Sequence, residues 1–120
     1  MSCSVLIVDD HSSFRRFARR LLERSGFVVV GEAADGAGAL AESRRLAPEM
    51  VLLDVLLPDV SGIEVARRLR RESEPPTVVL TSSRSADEFG VALEKADARG
   101  FIPKSDLSGA ALCRLLAPCL

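Results

Sequence analysis

The nine residues MVLLDVLLP at positions 50–58 decide the fold prediction. Four apolar residues in succession, 50–53, without polar alternation are typical of a strand buried on both faces, as in the middle of a parallel sheet. A single carboxylate, Asp54, follows this run, and Pro58 ends the segment. Because open α/β sheets carry their chemistry at the carboxyl ends of their strands, the position of Asp54 predicts a functional site there.

The size and charge of the chain predict one domain without a general attraction to polyanions. A length of 120 residues suits one domain with a core and is too short for two of ordinary size. Lysine and arginine number 16 against 17 aspartates and glutamates, which gives a formal net charge of −1. We therefore expect no global pull toward nucleic acid or anionic membrane, and any partner must be recognised locally.

The predicted location is the cytoplasm. No apolar run approaches the roughly 18 residues of a membrane span, and Met1 leads almost directly into a strand without a basic or signal-like segment. Three widely spaced cysteines, Cys3, Cys113 and Cys119, have no CxxC spacing and no histidine neighbours. This spacing indicates reduced thiols and neither a disulfide framework nor a zinc site.

Strands and helices alternate along the chain five times. Apolar runs predict strands at 4–8, 27–30, 50–53, 77–80 and 100–103. Apolar residues spaced by three and four predict five helices: one capped by Ser12 or Ser13, one at 37–46, one after Gly62, one at 86–96 and one from 107. Such alternation implies a parallel sheet with right-handed crossovers and helices on both faces. The predicted fold class is α/β, flavodoxin-like (βα)5, with strand order 2-1-3-4-5.

In this strand order the first and third strands are neighbours in the middle of the sheet. Their carboxyl ends carry Asp9, Asp10 and Asp54, which we expect to converge in one cleft. Thr81 and Lys104 follow at the ends of the next two strands. Three carboxylates in one cleft repel each other unless a cation neutralises them, and Mg²⁺ prefers such an open set of oxygen ligands. Acid, metal, ammonium and hydroxyl together predict a phosphoryl-transfer site, in which a carboxylate can itself accept the phosphoryl group.

The strand-end motifs carry a resemblance to a known family. They are VLIVDD at 5–10, LLDVLLP at 52–58 with Gly62 beyond it, VLTS at 79–82 and GFIPK at 100–104. The chain resembles the receiver domain of two-component response regulators over its whole length, residues 1–120. The segments DDH at 9–11 and GEAADG at 31–36 are most similar to receivers that precede a LuxR-type DNA-binding domain, in the NarL-like subfamily.

The resemblance implies a role for each residue of the cleft. Asp54 would be phosphorylated by a partner histidine kinase. Asp10 would ligate Mg²⁺ directly and Asp9 largely through water. Asp54 and the backbone carbonyl of Leu56 would complete the protein ligands.

The resemblance also implies a switch. Thr81 and Lys104 would bind the phosphoryl oxygens, and phosphorylation adds about −1.5 to −2 charges. Thr81 would move toward them and let Phe101 rotate inward, which remodels the surface of the fourth helix and the last strand. Asp97 stands where the family often has glycine, and aspartate tolerates a left-handed backbone better than most residues.

The partners implied are a sensor histidine kinase and either a DNA-binding output domain or a downstream protein. The chain could form a homodimer, and we expect no direct contact with nucleic acid and no contact with membrane. It is a signalling phosphoacceptor that takes part in its own phosphorylation and dephosphorylation and is not an enzyme in the usual sense. The sequence leaves open whether the receiver stands alone or belongs to a longer transcription factor.

Two alternatives use the same fold. An aspartyl-phosphate hydrolase or phosphatase usually has a second acid two residues after the nucleophile, where this chain has Leu56. A flavin- or nucleotide-binding module needs a glycine-rich first turn, whereas DDHSS at 9–13 offers acid. His11 lies beside the acidic pair, and we interpret it as a solvated residue at the start of the first helix rather than as a ligand.

Overall fold

Five parallel strands form the centre of the molecule. The computed structural model describes residues 3–116. The strands are β1 (Ser4–Val8), β2 (Val28–Ala33), β3 (Met50–Asp54), β4 (Thr77–Ser82) and β5 (Gly100–Pro103). All neighbours pair in parallel, in the order β2-β1-β3-β4-β5. The flavodoxin-like strand order predicted from the sequence is therefore confirmed.

Helices connect successive strands and cover both faces of the sheet. They are α1 (Ser12–Arg24), α2 (Gly36–Leu46), α3 (Gly62–Arg70), α4 (Ala92–Lys95) and α5 (Gly109–Leu116). Two single 3₁₀ turns, Ala86–Glu88 and Lys104–Asp106, lie before α4 and after β5. Among residues 3–116, none of these helices has the length and apolar character that crossing a bilayer would need.

The strands are apolar without alternation because both faces of the sheet are buried. In β1, Leu6 and Val8 belong to one core, which includes Leu69 of α3. Val5 and Ile7 face the opposite core, which includes Leu22 of α1 and Leu112 of α5. The side chains at positions 5–8 are at most 1% exposed. This double burial leaves the strand ends as the places where polar groups can emerge.

The helix predicted at 86–96 is wrong in extent. The structure has a 3₁₀ turn at Ala86–Glu88 and then only the four-residue α4. Gly90 between them has φ +57°, a left-handed conformation that interrupts a helix. Phe89 and Leu93 pack against the core but are only half-buried. The apolar spacing was helical, but the burial that would stabilise a long helix is missing.

Two other boundaries differ from the prediction. Neither Ser12 nor Ser13 caps α1, because His11 occupies the cap position and its backbone N–H donates to Asp9 Oδ1 at 2.8 Å.

Strand β2 continues to Ala33, which pairs with Val8 of β1, beyond the predicted end at residue 30. The register shifts within this pairing, between Val5 and Leu6 of β1. The polar segment 31–33 therefore belongs to the edge of the sheet.

Two residues other than glycine have a left-handed backbone. Ala47, at the end of α2, has φ +47°, and Asp97, after α4, has φ +52°. Asp97 thus adopts the conformation that the sequence predicted for it.

Among the cysteines, Cys3 is a half-buried free thiol and Cys113 an exposed one, and Cys119 lies outside the described residues.

Candidate functional site

The structure brings the acids at the ends of β1 and β3 together. Val8 pairs with Leu53 in the sheet, so the next residue of each strand lies at the same edge. Asp9 is fully buried and Asp54 is 3% exposed, whereas the side chain of Asp10 is 35% exposed. Two buried carboxylates side by side are costly unless positive charge or hydrogen bonds compensate them.

Lys104, at the end of β5, supplies that positive charge. Its ammonium nitrogen lies 2.6 Å from Asp9 Oδ2 and 3.3 Å from Asp54 Oδ2. The ammonium also lies 4.2 Å from the centre of the Phe14 ring, which stabilises a cation on that side. Although Asp9 Oδ2 is this close to the ammonium, it accepts no well-aligned hydrogen bond from the described residues. One cation therefore serves two buried acids.

The two carboxylates titrate differently because their surroundings differ. Burial and the neighbouring Asp9 carboxylate raise the pKa of Asp54 to about 6, although the Leu56 N–H and the Lys104 ammonium act to lower it. Burial also opposes ionisation of Asp9, but the adjacent Lys104 ammonium and the hydrogen bond from the His11 N–H hold its pKa below the ordinary value. For Lys104 burial acts to lower the pKa, but the two acids raise it overall. At neutral pH the site therefore contains ionised Asp9 and ammonium, with Asp54 mostly ionised.

Two arginines of α1, for which the sequence predicted no role in the site, link the backbone of Asp9 to Glu32 of β2. Arg15 Nη1 donates to the Asp9 carbonyl at 2.6 Å, and its Nε donates to Glu32 Oε1 at 2.9 Å. Arg19 Nε donates to the other Glu32 oxygen at 2.9 Å. Burial opposes ionisation of Glu32, but the two guanidinium groups hold its pKa below the usual value. The available signal was a pair of arginines four apart on α1 and an acid at the edge of an apolar strand.

Thr81 lies beside Asp54 in the sheet, but its hydroxyl is turned to β5. The register pairs Asp54 with Thr81. Thr81 Oγ1 is buried and donates to the Ile102 carbonyl at 2.6 Å. Phe101, next along β5, is half-buried and packs edge-on against Phe89 with ring centres 6.2 Å apart. Here the hydroxyl of Thr81 is engaged with the last strand and not with the carboxylates.

Leu56 and His11 complete the rim. The Leu56 N–H donates to Asp54 Oδ1 at 3.1 Å, and the Leu56 side chain is 43% exposed. His11 is 67% exposed, in line with a solvated residue, yet its Nδ1 lies 3.2 Å from Asp9 Oδ1 and 3.1 Å from Asp10 Oδ1. The imidazole therefore contacts both acids of the pair.

The donor atoms at this edge fit a divalent cation. Potential ligand atoms of Asp9, Asp10, His11 and Asp54 all lie within 4.8 Å of one another. Carboxylate oxygens are the ligands that Mg²⁺ prefers, and an open site leaves room for its waters. The buried Asp9 Oδ2 without an aligned donor and the shortage of positive charge both favour an added cation.

The match to a family decides what this cleft belongs to. The model of the response regulator receiver domain matches residues 5–114. The chain belongs to the response regulator receiver domain family. Receivers of this family work in two-component systems with histidine kinases and typically bind Mg²⁺. The prediction of a two-component receiver is thereby confirmed.

Individual relatives agree with this assignment. The receiver is 38% identical over 101 residues to the response regulator GacA of Pseudomonas viridiflava, covering 83% of this chain. It is 37% identical over 114 residues to a protein-glutamate methylesterase/protein-glutamine glutaminase of Alkalilimnicola ehrlichii, covering 91% of this chain. It superimposes with a TM-score of 0.86 and 31% identity on a two-component response regulator of the LuxR family from Aurantimonas sp. SI85-9A1, covering 99% of this chain and 85% of that one.

The relatives are longer than the matched region. The receiver spans 47% of the GacA protein and 29% of the methylesterase. One of these two relatives is a response regulator by name and the other is an enzyme by name.

Proposed function

We propose that this receiver accepts a phosphoryl group on Asp54 from a sensor histidine kinase. The observation that carries the proposal is the position of Asp54, 3% exposed, at a strand end with Asp9 beside it and the Lys104 ammonium 3.3 Å away. A carboxylate oxygen of Asp54 forms the new P–O bond. The P–N bond to the kinase imidazole breaks, and its electron pair leaves on the nitrogen.

The raised pKa of Asp54 suits this role. With a pKa of about 6, Asp54 is mostly ionised above neutral pH and can attack phosphorus. Burial removes water from the carboxylate, so the ionised form is less stabilised by solvent than on an open surface. Phosphorylation replaces this carboxylate with a more negative group in the same place.

Asp9, Asp10, Asp54 and the backbone carbonyl of Leu56 would hold Mg²⁺ in this proposal. Bound there, the ion would neutralise charge on the acids and on the incoming phosphoryl oxygens. His11, which contacts both Asp9 and Asp10, stands at the edge of that ligand set.

Lys104 and Thr81 would bind the phosphoryl oxygens. The ammonium of Lys104 already touches Asp54 and needs only a small shift toward a new anion. Thr81 must first give up its 2.6 Å hydrogen bond to the Ile102 carbonyl. Loss of that bond would free the Thr81 side chain from β5 next to Phe101, which packs on Phe89, and so alter the surface formed by α4 and β5.

The wider assignments follow from this function as proposals. The receiver extends over the whole chain, 1–120, and acts in the cytoplasm as a phosphoacceptor rather than as an enzyme in its own right. Its phosphorylated α4–β5 surface acts on a DNA-binding output domain or a downstream protein, and a homodimer is one form this output can take. The receiver itself would make no direct contact with nucleic acid.

The test is uptake of a phosphoryl group from acetyl phosphate in the presence of Mg²⁺, followed by intact-mass measurement. We expect one added phosphoryl group on the wild type and none on Asp54→Ala. Asp106→Ala, which removes an exposed acid beyond β5, is the matched control and should be phosphorylated like the wild type. Equal uptake by Asp54→Ala, or no uptake by the wild type, would rule the proposal out.

A further inference from the structure

Asp59, which lies outside the acidic cleft, joins the loop after β3 to the start of α2, two segments that are distant in sequence. It lies in the β3–α3 loop, residues 55–61, which comes directly after Asp54. Asp59 Oδ1 accepts from the Gly36 N–H at 2.8 Å, and Oδ2 accepts from the Ala37 N–H at 3.0 Å. Both donors belong to the first turn of α2. Oδ1 also accepts from the Val60 N–H, at 2.9 Å.

The first turn of α2 already has a local cap. Asp35 Oδ1 accepts from the Gly38 N–H at 2.7 Å, as N-cap residues commonly do. The first N–H groups of a helix have no partner inside the helix, so Asp59 satisfies two that Asp35 leaves free. Hydrogen bonds from Gly36 and Ala37 lower the pKa of Asp59. Two acids thus share one helix start, and only Asp59 brings another segment with it.

The packing around Gly36 shows how closely the loop approaches. A Cβ at Gly36 would lie 2.3 Å from Val60 Cγ1 and 3.2 Å from Asp59 Oδ1. A larger residue at 36 therefore requires the Val60 side chain to shift and crowds the Asp59 carboxylate. At the far end of the loop, the Gly62 N–H donates to the Val55 carbonyl at 2.7 Å.

The loop is therefore fixed at both sides of Leu56. On one side it is tied to the strand end through Gly62 and Val55, and on the other to α2 through Asp59. Between them the Leu56 N–H reaches Asp54 Oδ1. We propose that Asp59 is a positioning residue, whose carboxylate holds the β3–α3 loop against the first turn of α2 and so keeps Leu56 in place beside Asp54. Its consequence for Mg²⁺ rests on the function proposed above.

The structural part is tested by hydrogen exchange, which needs neither metal nor phosphate. In Mg²⁺-free buffer, Asp59→Ala should accelerate exchange in residues 55–61 by about 10-fold or more, because the loop loses its tie to α2. Asp35→Ala removes the same charge and a cap from the same helix but leaves the loop tied, so its effect should stay within α2. Equal exchange of residues 55–61 in the two variants would overturn the inference.

The functional part is tested by Mg²⁺ affinity measured by titration calorimetry. Removing a group that orients metal ligands typically weakens affinity by about 10-fold, which we expect for Asp59→Ala, with less than about a twofold change for Asp35→Ala. Gly36→Ala changes no charge but displaces Val60 and Asp59, and it should weaken Mg²⁺ binding in the same direction. Unchanged affinity in both Asp59→Ala and Gly36→Ala would contradict the positioning role.

These outcomes separate the two proposals. A wild type that binds Mg²⁺ but takes up no phosphoryl group would refute phosphoacceptance at Asp54 and leave the role of Asp59 supported by affinity and exchange. A phosphorylated wild type whose loop exchanges equally in Asp59→Ala and Asp35→Ala would do the reverse. If Asp59 is a positioning residue, Asp59→Ala should lower the phosphorylation rate by acetyl phosphate at saturating Mg²⁺ less than it lowers the Mg²⁺ affinity. Saturation restores the bound ion.

Discussion

The acidic corner at the ends of β1, β3 and β5 and the segment 83–99 between β4 and β5 are built in opposite ways. In the corner, Asp9 and Asp54 are buried and are joined by short contacts to Lys104. In the segment 83–99, Ala96 is the single buried side chain. A region with few buried apolar groups opens at a lower free energy than a packed core. The acidic corner is thus held rigidly by buried contacts. The segment 83–99, which would respond to phosphorylation, has few such contacts.

Helix lengths show the same contrast. Helix α1 has 13 residues and α3 has nine, while α4 has four and is preceded by the left-handed Gly90. A helix of four residues barely repays the cost of its nucleation. Rearranging this segment on phosphorylation therefore costs little, whereas moving α1 or α3 would disrupt the core.

The largest effect on this contrast should come from Lys104→Ala. Removing the ammonium leaves Asp9 and Asp54 buried without their cation, and loss of one partner of a buried pair costs about 3 kcal/mol of unfolding free energy. Urea unfolding in EDTA measures it. Lys95→Ala, on exposed α4, is the control and should change the unfolding free energy by less than about 0.5 kcal/mol. Similar losses in the two variants would mean that the corner is not held by this ion pair.

Asp54→Asn should stabilise the metal-free receiver, in a pH-dependent way. A carboxyl with a folded pKa of about 6 binds a proton more tightly when folded, so wild-type stability falls as pH rises from about 4 to about 6. Asparagine cannot ionise. The gain of Asp54→Asn should be near zero at pH 4 and about 2 to 3 kcal/mol at pH 8. Urea unfolding in EDTA at several pH values measures the difference, and a gain that does not change with pH would show that the pKa of Asp54 is not raised.

The same substitution, valine to alanine, compares the buried core with the segment 83–99. Val65 in α3 is fully buried, and Val91 just before α4 is 66% exposed. Val65→Ala should lower the unfolding free energy by about 2 kcal/mol because it leaves a cavity. Val91→Ala should change it by less than about 0.5 kcal/mol. Chemical denaturation of both variants under one condition makes the comparison, and a loss at Val91 as large as at Val65 would place the segment in the core.

Burial could be predicted from the sequence, whereas the geometry of individual side chains could not. Unbroken apolar runs identified the strands, and strand order then placed Asp9, Asp54 and Lys104 at one edge. The spacing of Phe89 and Leu93 is helical, but the interruption by the backbone of Gly90 could not be read from that spacing.

The hydrogen bonds that hold the site in place could not be predicted from the sequence for a related reason. Arg15 meets Glu32, and Asp59 meets Gly36, across separations of 17 and 23 residues. Such pairs are set by the approach of one element to another, which sequence periodicity does not describe. The direction of the Thr81 hydroxyl toward β5 is likewise a choice between two neighbours that the strand order leaves equal.

The smallest effect concerns two left-handed residues, Ala47 outside the segment 83–99 and Asp97 within it. Ala47 ends α2 with φ +47°, where alanine is strained and glycine is not, so Ala47→Gly should raise the unfolding free energy by about 0.5 to 1 kcal/mol. Ala41→Gly, exposed inside α2, should lower it by about 1 kcal/mol. Asp97→Gly should gain less than Ala47→Gly, because aspartate tolerates φ +52° and Asp97 also pairs with Arg70 at 2.7 Å. Thermal unfolding of the three variants measures the order. If Asp97→Gly gained more than Ala47→Gly, strain would be concentrated in the segment before β5, and that segment would be strained rather than merely loosely packed.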